Sequence, residues 1–241
     1  MFIGRVEEKA LIKERIDRKS FEFGILYGRR RIGKTTLLKN ILEERKGIYF
    51  VASEMDFNYN LDVFSSLVAG FFNESVTFNS LEMLFAYLKK KSEKERVLLV
   101  IDEFTYLFTR EKGVESILQN IIDDILKEAN MILVLSGSQV GMIEDVISYK
   151  RPLYGRLSFK IKLEDMDYYD ASQFYPEYSD EDKIIAYSIF GGIPHYLAKI
   201  DDRLTIKENV IRLVSGKNAD FKDEVEFFLK QELRSIGAYG M

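Results

Sequence analysis

Gly28-Arg29-Arg30-Arg31-Ile32-Gly33-Lys34-Thr35 matches G-x-x-x-x-G-K-[ST] in full, and the residues on either side decide how the chain is read. Phe21 to Tyr27 is a strand-length apolar run, and Thr35 to Arg45 carries apolar residues at helical spacing. A glycine-bearing loop between a buried strand and a helix turns its backbone N–H groups toward one point, where the helix N-terminus adds partial positive charge. That arrangement suits a phosphate. Lys34 would reach the β- and γ-phosphates as a point charge, and the Thr35 hydroxyl would complete a Mg²⁺ shell. Gly28, Arg29, Arg30, Arg31, Ile32, Gly33, Lys34, Thr35 and Thr36 are the candidate nucleotide-binding residues.

Outward from the loop, strand-length apolar runs recur at Gly47 to Ala52, Val97 to Ile101, Met131 to Leu135 and Leu157 to Leu163. Helical patterns lie between them at Leu61 to Phe72, Ser80 to Lys91 and Val114 to Glu128. Alternation of strands with helices predicts an α/β architecture, a mainly parallel sheet covered on both faces. After Leu163 no strand-like run follows. Short helical segments at Ala171 to Tyr175, Asp180 to Phe190, Thr205 to Val214 and Asp223 to Ile236 predict a small all-helical module. Charge changes at the same place: residues 1–163 carry 26 basic and 23 acidic side chains, and residues 164–241 carry 9 and 16. The expected domains are 1–163 and 164–241.

A phosphate loop needs a carboxylate at the tip of a neighbouring buried strand, and Val97-Leu98-Leu99-Val100-Ile101-Asp102-Glu103 supplies one. Asp102 is the candidate for the magnesium side, and Glu103 the candidate general base for an attacking water. Met131 to Leu135 runs into Ser136-Gly137-Ser138, so either serine could touch the γ-phosphate or that water; a plain strand exit reads the same way.

Composition removes other chemistries. The chain has no cysteine and one histidine, His195, which excludes zinc fingers, iron–sulfur sites and cysteine nucleophiles. A formal net charge of −4 removes the case for a whole-surface nucleic-acid binder, and the acidic C-terminal third predicts no strong intrinsic DNA affinity. In the first twenty residues charges alternate with single apolar residues, and no aliphatic run is long enough to span a bilayer, so a cytoplasmic protein is expected.

Phe2-Ile3-Gly4-Arg5, the Tyr27 to Thr36 loop, Leu99 to Phe104, Ser136-Gly137-Ser138, Pro152-Leu153-Tyr154-Gly155-Arg156 and Gly191-Gly192-Ile193-Pro194 occur in an order that resembles the archaeal-type ATPase family. That family belongs to the AAA+/STAND branch of P-loop NTPases. The resemblance implies a P-loop NTPase sheet followed by a helical lid, with ATP as the nucleotide. It places Ile3, Gly4 and Arg5 by the adenine, and Pro194, in Gly192-Ile193-Pro194, by the nucleotide. It makes Arg156 a candidate for stabilising the γ-phosphate, in its own site or a neighbour's in a homo-oligomer; a surface ion pair is the competing role. His195 reads as structural. Family members usually continue into a winged-helix module, which is not expected before Met241, so its functions are not transferred.

Two functions fit these residues. One is a Mg²⁺-dependent ATPase whose hydrolysis switches the lid and acts on a macromolecular partner. The other is a slow nucleotide-gated binding module for a protein or DNA partner.

Overall fold

The computed structural model describes residues 2–111, 113–222 and 224, and by packing density it divides into two compact units. The first comprises residues 6–30 and 34–163. Its elements are α1 (Val6–Asp17), β1 (Glu22–Tyr27), α2 (Lys34–Glu44), β2 (Ile48–Val51), α3 (Phe57–Phe72), α4 (Leu81–Ser92), β3 (Val97–Asp102), α5 (Thr105–Arg110), α6 (Val114–Asn120), β4 (Met131–Gly137), α7 (Val140–Val146) and β5 (Phe159–Lys162). A π-helical turn, Ile121–Leu126, continues α6.

The five strands form one parallel sheet in the order β2-β3-β4-β1-β5. Every residue of β1, β3 and β4 is buried, which is why these strands read as unbroken apolar runs rather than alternating ones. β5 alternates buried Phe159 and Ile161 with exposed Lys160 and Lys162, the signature of an edge strand protected by charge. One face of the sheet presents Phe23, Ile25, Leu99, Ile101, Leu133 and Leu135 to a core shared with Phe64, Val68, Leu84, Phe85 and Leu118 from α3, α4 and α6. Phe50 stacks on Phe64 with ring centroids 4.6 Å apart, and Phe85 meets Phe64 edge-on at 6.3 Å. By the two-residue period of a strand, Leu26, Val100, Ile132 and Val134 point to the opposite face.

Helix ends are set locally. Asp56 caps α3 by accepting from the Tyr59 N–H at 2.9 Å, and Ser80 caps α4 by accepting from the Met83 N–H at 3.3 Å. α1 departs from the sequence expectation, because the charge-rich opening segment showed no helical stripe. It buries Ile12 and Ile16, one turn apart, and Lys9 and Lys13 both pair with Glu44 of α2.

The second unit comprises residues 2–5, 31–33 and the described residues from 164 onward. It contains α8 (Tyr168–Ser172), α9 (Asp180–Phe190), α10 (Pro194–Leu197) and α11 (Ile206–Val210), the last continued by a π-helical turn, Ile211–Ser215. Tyr175, Ala186, Leu197 and Leu213 form its core. Thr205 and Glu208 close a capping box at the start of α11. The helix expected over Asp223 to Ile236 lies, apart from Glu224, outside the described residues. Among the described residues no helix is long and apolar enough to cross a membrane.

Gly24 on β1 pairs with Phe159 on β5, and a Cβ at Gly24 would enter the Phe159 ring. Gly24→Ala is therefore expected to cost about 1–3 kcal/mol through overpacking. Combining it with Phe159→Leu should recover part of the loss, a non-additivity that urea unfolding of the two single variants and the double variant measures.

Candidate functional site

The loop from Gly28 to Gly33 joins the buried end of β1 to the first residue of α2, Lys34. Gly33 has φ +95°, a backbone state that admits glycine freely and turns the chain into the helix. Arg31, with φ +68°, holds the same left-handed region with a side chain, at a cost in conformational strain. The Lys34 side chain is buried and curls back so that Nζ donates to the carbonyls of Gly28 and Arg29, both at 2.9 Å. Burial lowers its pKa from the ordinary lysine value, against the attraction of Glu103 and Asp102. A desolvated cation ringed by a loop at a helix N-terminus is a site for an anion. Arg29, Arg30, Thr35 and Thr36 are exposed around it, and Ile32 is buried as the loop's apolar anchor.

One residue into α2, the Thr35 hydroxyl donates to Asp102 Oδ2 at 2.9 Å. Asp102 ends β3, the strand two places from β1 in the sheet, and is buried. Its other oxygen, Oδ1, accepts the Glu103 N–H at 3.0 Å. A hydroxyl and a carboxylate locked together are hard oxygen donors of the kind Mg²⁺ takes, so this pair fits that ion. Sequence reading missed a third participant: the Tyr49 hydroxyl on β2 also donates to Asp102 Oδ2. Burial, reinforced by the Asp102 carboxylate, raises the Tyr49 pKa, so the phenol stays a donor. Tyr49 lay inside a strand-like run, where an aromatic side chain carries no signal beyond β-propensity.

Glu103 follows with φ +51°, a conformation few non-glycine residues adopt without a local reason. Its carboxylate accepts two hydrogen bonds from Ser138 at the exit of β4, from the backbone N–H at 3.2 Å and the hydroxyl at 3.0 Å. Of the two serines singled out by sequence, Ser138 thus meets Glu103. The Ser136 hydroxyl is fully buried and makes no hydrogen bond, one position beyond the Ile101 and Leu135 pair that aligns β3 with β4.

Arg156 is placed differently. Its guanidinium grips Asp123 on the π-helical turn through two bonds of 2.8 and 2.6 Å and donates to the Pro152 carbonyl at 2.7 Å. In the second unit, Arg5 is buried and donates to the carbonyls of Glu164 at 2.5 Å and Ile32 at 3.3 Å, while its N–H meets Asp170 at 3.3 Å. Arg5 therefore ties the N-terminal residues of that unit to its helices; Ile3 and Gly4 beside it are half-buried. The Pro194 ring opens α10 and lies 3.7 Å from where a Gly33 side chain would begin. His195 is exposed, edge-on to Tyr196 at 5.7 Å, with its pKa lowered by partial desolvation and then by Arg31 and Lys199.

Comparisons with known proteins agree with this architecture. An uncharacterized protein of Methanocaldococcus jannaschii is 32% identical over 240 residues, which cover 99% of this chain and 52% of that relative, so the chain spans about half the relative's length. A Walker-type ATPase of Pyrococcus abyssi superposes with a TM-score of 0.70 at 20% identity, covering 99% of this chain and 77% of the other. The ORC2 protein of Aeropyrum pernix, in ADPNP and ADP complexes, superposes with a TM-score of 0.58 at 19% identity over 73% of this chain and 52% of its own. At those identities the superpositions show a shared fold, the parallel sheet of P-loop NTPases flanked by helices. A family described as an ATPase domain predominantly from Archaea matches residues 2–200, and the chain belongs to that family.

Proposed function

We propose that this chain is a Mg²⁺-dependent ATPase of the AAA+/STAND type whose turnover drives a conformational switch read by a macromolecular partner. The observation that carries the reading is the Thr35 to Asp102 bond at 2.9 Å, with Lys34 one residue before it and Glu103 one residue after. It unites the two motifs into one oxygen-lined corner. The ORC2 protein of Aeropyrum pernix, which shares the fold, is described in complexes with ADPNP and ADP, and this supports an adenine nucleotide here.

In this mechanism the loop amides and the Lys34 ammonium hold the β- and γ-phosphate oxygens, charge meeting charge in a water-poor setting. Thr35 and Asp102 are the residues that would hold Mg²⁺, which when bound offsets charge on the phosphate oxygens. Glu103 orients the attacking water and accepts its proton. Ser138, placed beside that carboxylate, fixes its direction. Arg156 enters as the residue that offsets γ-phosphate charge from its own site or a neighbour's, and to do so it must leave Asp123.

One observation favours the second reading, a slow nucleotide-gated binding module. A carboxylate engaged by two hydrogen bonds from Ser138 must loosen one of them to turn to a water, and a base so occupied makes long-lived ATP states. Partner capture by the Glu103→Gln protein held in ATP, compared with its release in ADP, reads out the switch in either case.

Lys34→Ala should abolish tight ATP binding in calorimetry; unchanged affinity would remove the phosphate-loop assignment. Glu103→Gln is expected to keep ATP binding while hydrolysis falls on the order of 10²- to 10⁴-fold, the usual loss for a positioned base. Phosphate release at the wild-type rate would place the base elsewhere. For Arg156, the scheme expects Arg156→Ala to lower the hydrolysis rate with ATP affinity retained, and Asp123→Ala to leave the rate intact. Equal behaviour of the two variants in rate and melting temperature would reduce the arginine to its ion pair, worth about 0–1 kcal/mol at a surface.

A further inference from the structure

We propose that Tyr49 is a positioning residue for the cation corner, an assignment that rests on the nucleotide-site reading above and extends it to the neighbouring strand β2. In the parallel register Tyr49 pairs with Val100, two residues before Asp102, so Tyr49 and Asp102 point to the same face of the sheet. The phenol donates to Oδ2, the same oxygen that accepts the Thr35 hydroxyl, while Oδ1 accepts the Glu103 N–H at 3.0 Å. Three donors from three places therefore determine both torsions of one aspartate: β2, the first turn of α2, and the backbone immediately after β3.

The chemistry follows from the hydroxyl inventory. Thr35 has one proton, and while that proton points at Asp102 the oxygen lone pairs point away from it, where a cation ligates. The proton stays so directed only while Oδ2 stays in place. Asp102 ends its strand, with a buried and unbonded Ser136 hydroxyl on the β4 side and Tyr49 on the β2 side. Tyr49 thus supplies the lateral bond that the serine does not. Its ring is held in turn: it is half-buried, and the Lys39 ammonium from α2 lies 5.8 Å from the ring centroid. Partners of this kind, which orient a ligating group without touching the metal, govern metal affinity strongly.

Calorimetric titration of the full chain with ADP, in EDTA, in Mg²⁺ and in Ca²⁺, tests the assignment on the wild type and Tyr49→Phe without recourse to turnover. In EDTA the two proteins should bind ADP within about twofold of each other, since the loop and Lys34 are untouched. The Mg²⁺ concentration that half-tightens ADP binding should rise about 10- to 100-fold in Tyr49→Phe, the range found when an orienting partner is lost. The Ca²⁺ requirement should move less, because calcium accepts a flexible shell and magnesium demands a near-ideal octahedron. A wild-type chain that binds no ADP, or whose ADP affinity is indifferent to Mg²⁺, overturns the nucleotide-site reading and the proposal with it. Mg²⁺-tightened binding that is unchanged in Tyr49→Phe overturns the role of Tyr49 alone. Equal losses in EDTA, Mg²⁺ and Ca²⁺ with a lowered melting temperature also overturn it, leaving a packing role.

Discussion

The hydrogen bond from Thr35 to Asp102 joins residues 67 positions apart on elements that are not sheet neighbours. For a threonine in the first turn of α2 to meet a side chain at the tip of β3, α2 must lie on the face to which Val100 and Asp102 point, and β3 must stand one strand removed from β1. Strand β4 fills that interval and aligns both partners, pairing Leu26 of β1 with Ser136 and Ile101 of β3 with Leu135. Shifting the register of either pairing by one residue would turn Asp102 to the other face. The near-complete burial of β1, β3 and β4 is what forbids that slip.

Around this bond the molecule accepts unfavourable local features. Lys34 is an ammonium taken out of water, and its pKa falls for that reason. Arg31 and Glu103 both occupy left-handed backbone without being glycine. The Ser136 hydroxyl is buried without a partner. Each lies in or beside the loop or the β3 tip, next to a sheet whose central strands are buried throughout. Concentrated strain of this sort is expected where a scaffold is shaped for a ligand rather than for stability alone.

The sheet was legible in the sequence because fully buried parallel strands read as unbroken apolar runs, and all five runs are strands. The loop and Asp102-Glu103 were legible because phosphate chemistry admits few residue types at those spacings. What escaped depends on three dimensions. The helix over Val6–Asp17 buries only two isoleucines and is otherwise held by ion pairs such as those of Lys9 and Lys13 with Glu44, so it leaves no apolar stripe to detect. The order of strands is not written in any local pattern, so Tyr49, bonded to Asp102 in space but 53 positions from it in sequence, looked like any strand aromatic. The choice between Ser136 and Ser138 needed the strained turn at Glu103, which aims that carboxylate at the second serine. For Arg156 a γ-phosphate role and a surface ion pair are both open in the sequence, and the resemblance implies a place by the adenine for Arg5; their partners Asp123 and the carbonyls of Glu164 and Ile32 emerge only from packing.

The position of β4 also orders events during synthesis. A nascent chain that has emerged only through Glu103 already contains the phosphate loop and both acidic residues, yet β1 and β3 share no edge, and the strand that must lie between them is still to be made. Only β2 and β3 can pair at that stage. Non-local parallel pairings close slowly, since loop-closure entropy is lost before contacts repay it. Joining the two halves of the corner therefore waits for Met131–Gly137, and until then two apolar strand edges remain open to misdirected pairing. In this topology the corner between Thr35 and Asp102 cannot close until β4 has been made, although both of its residues precede β4 in the chain.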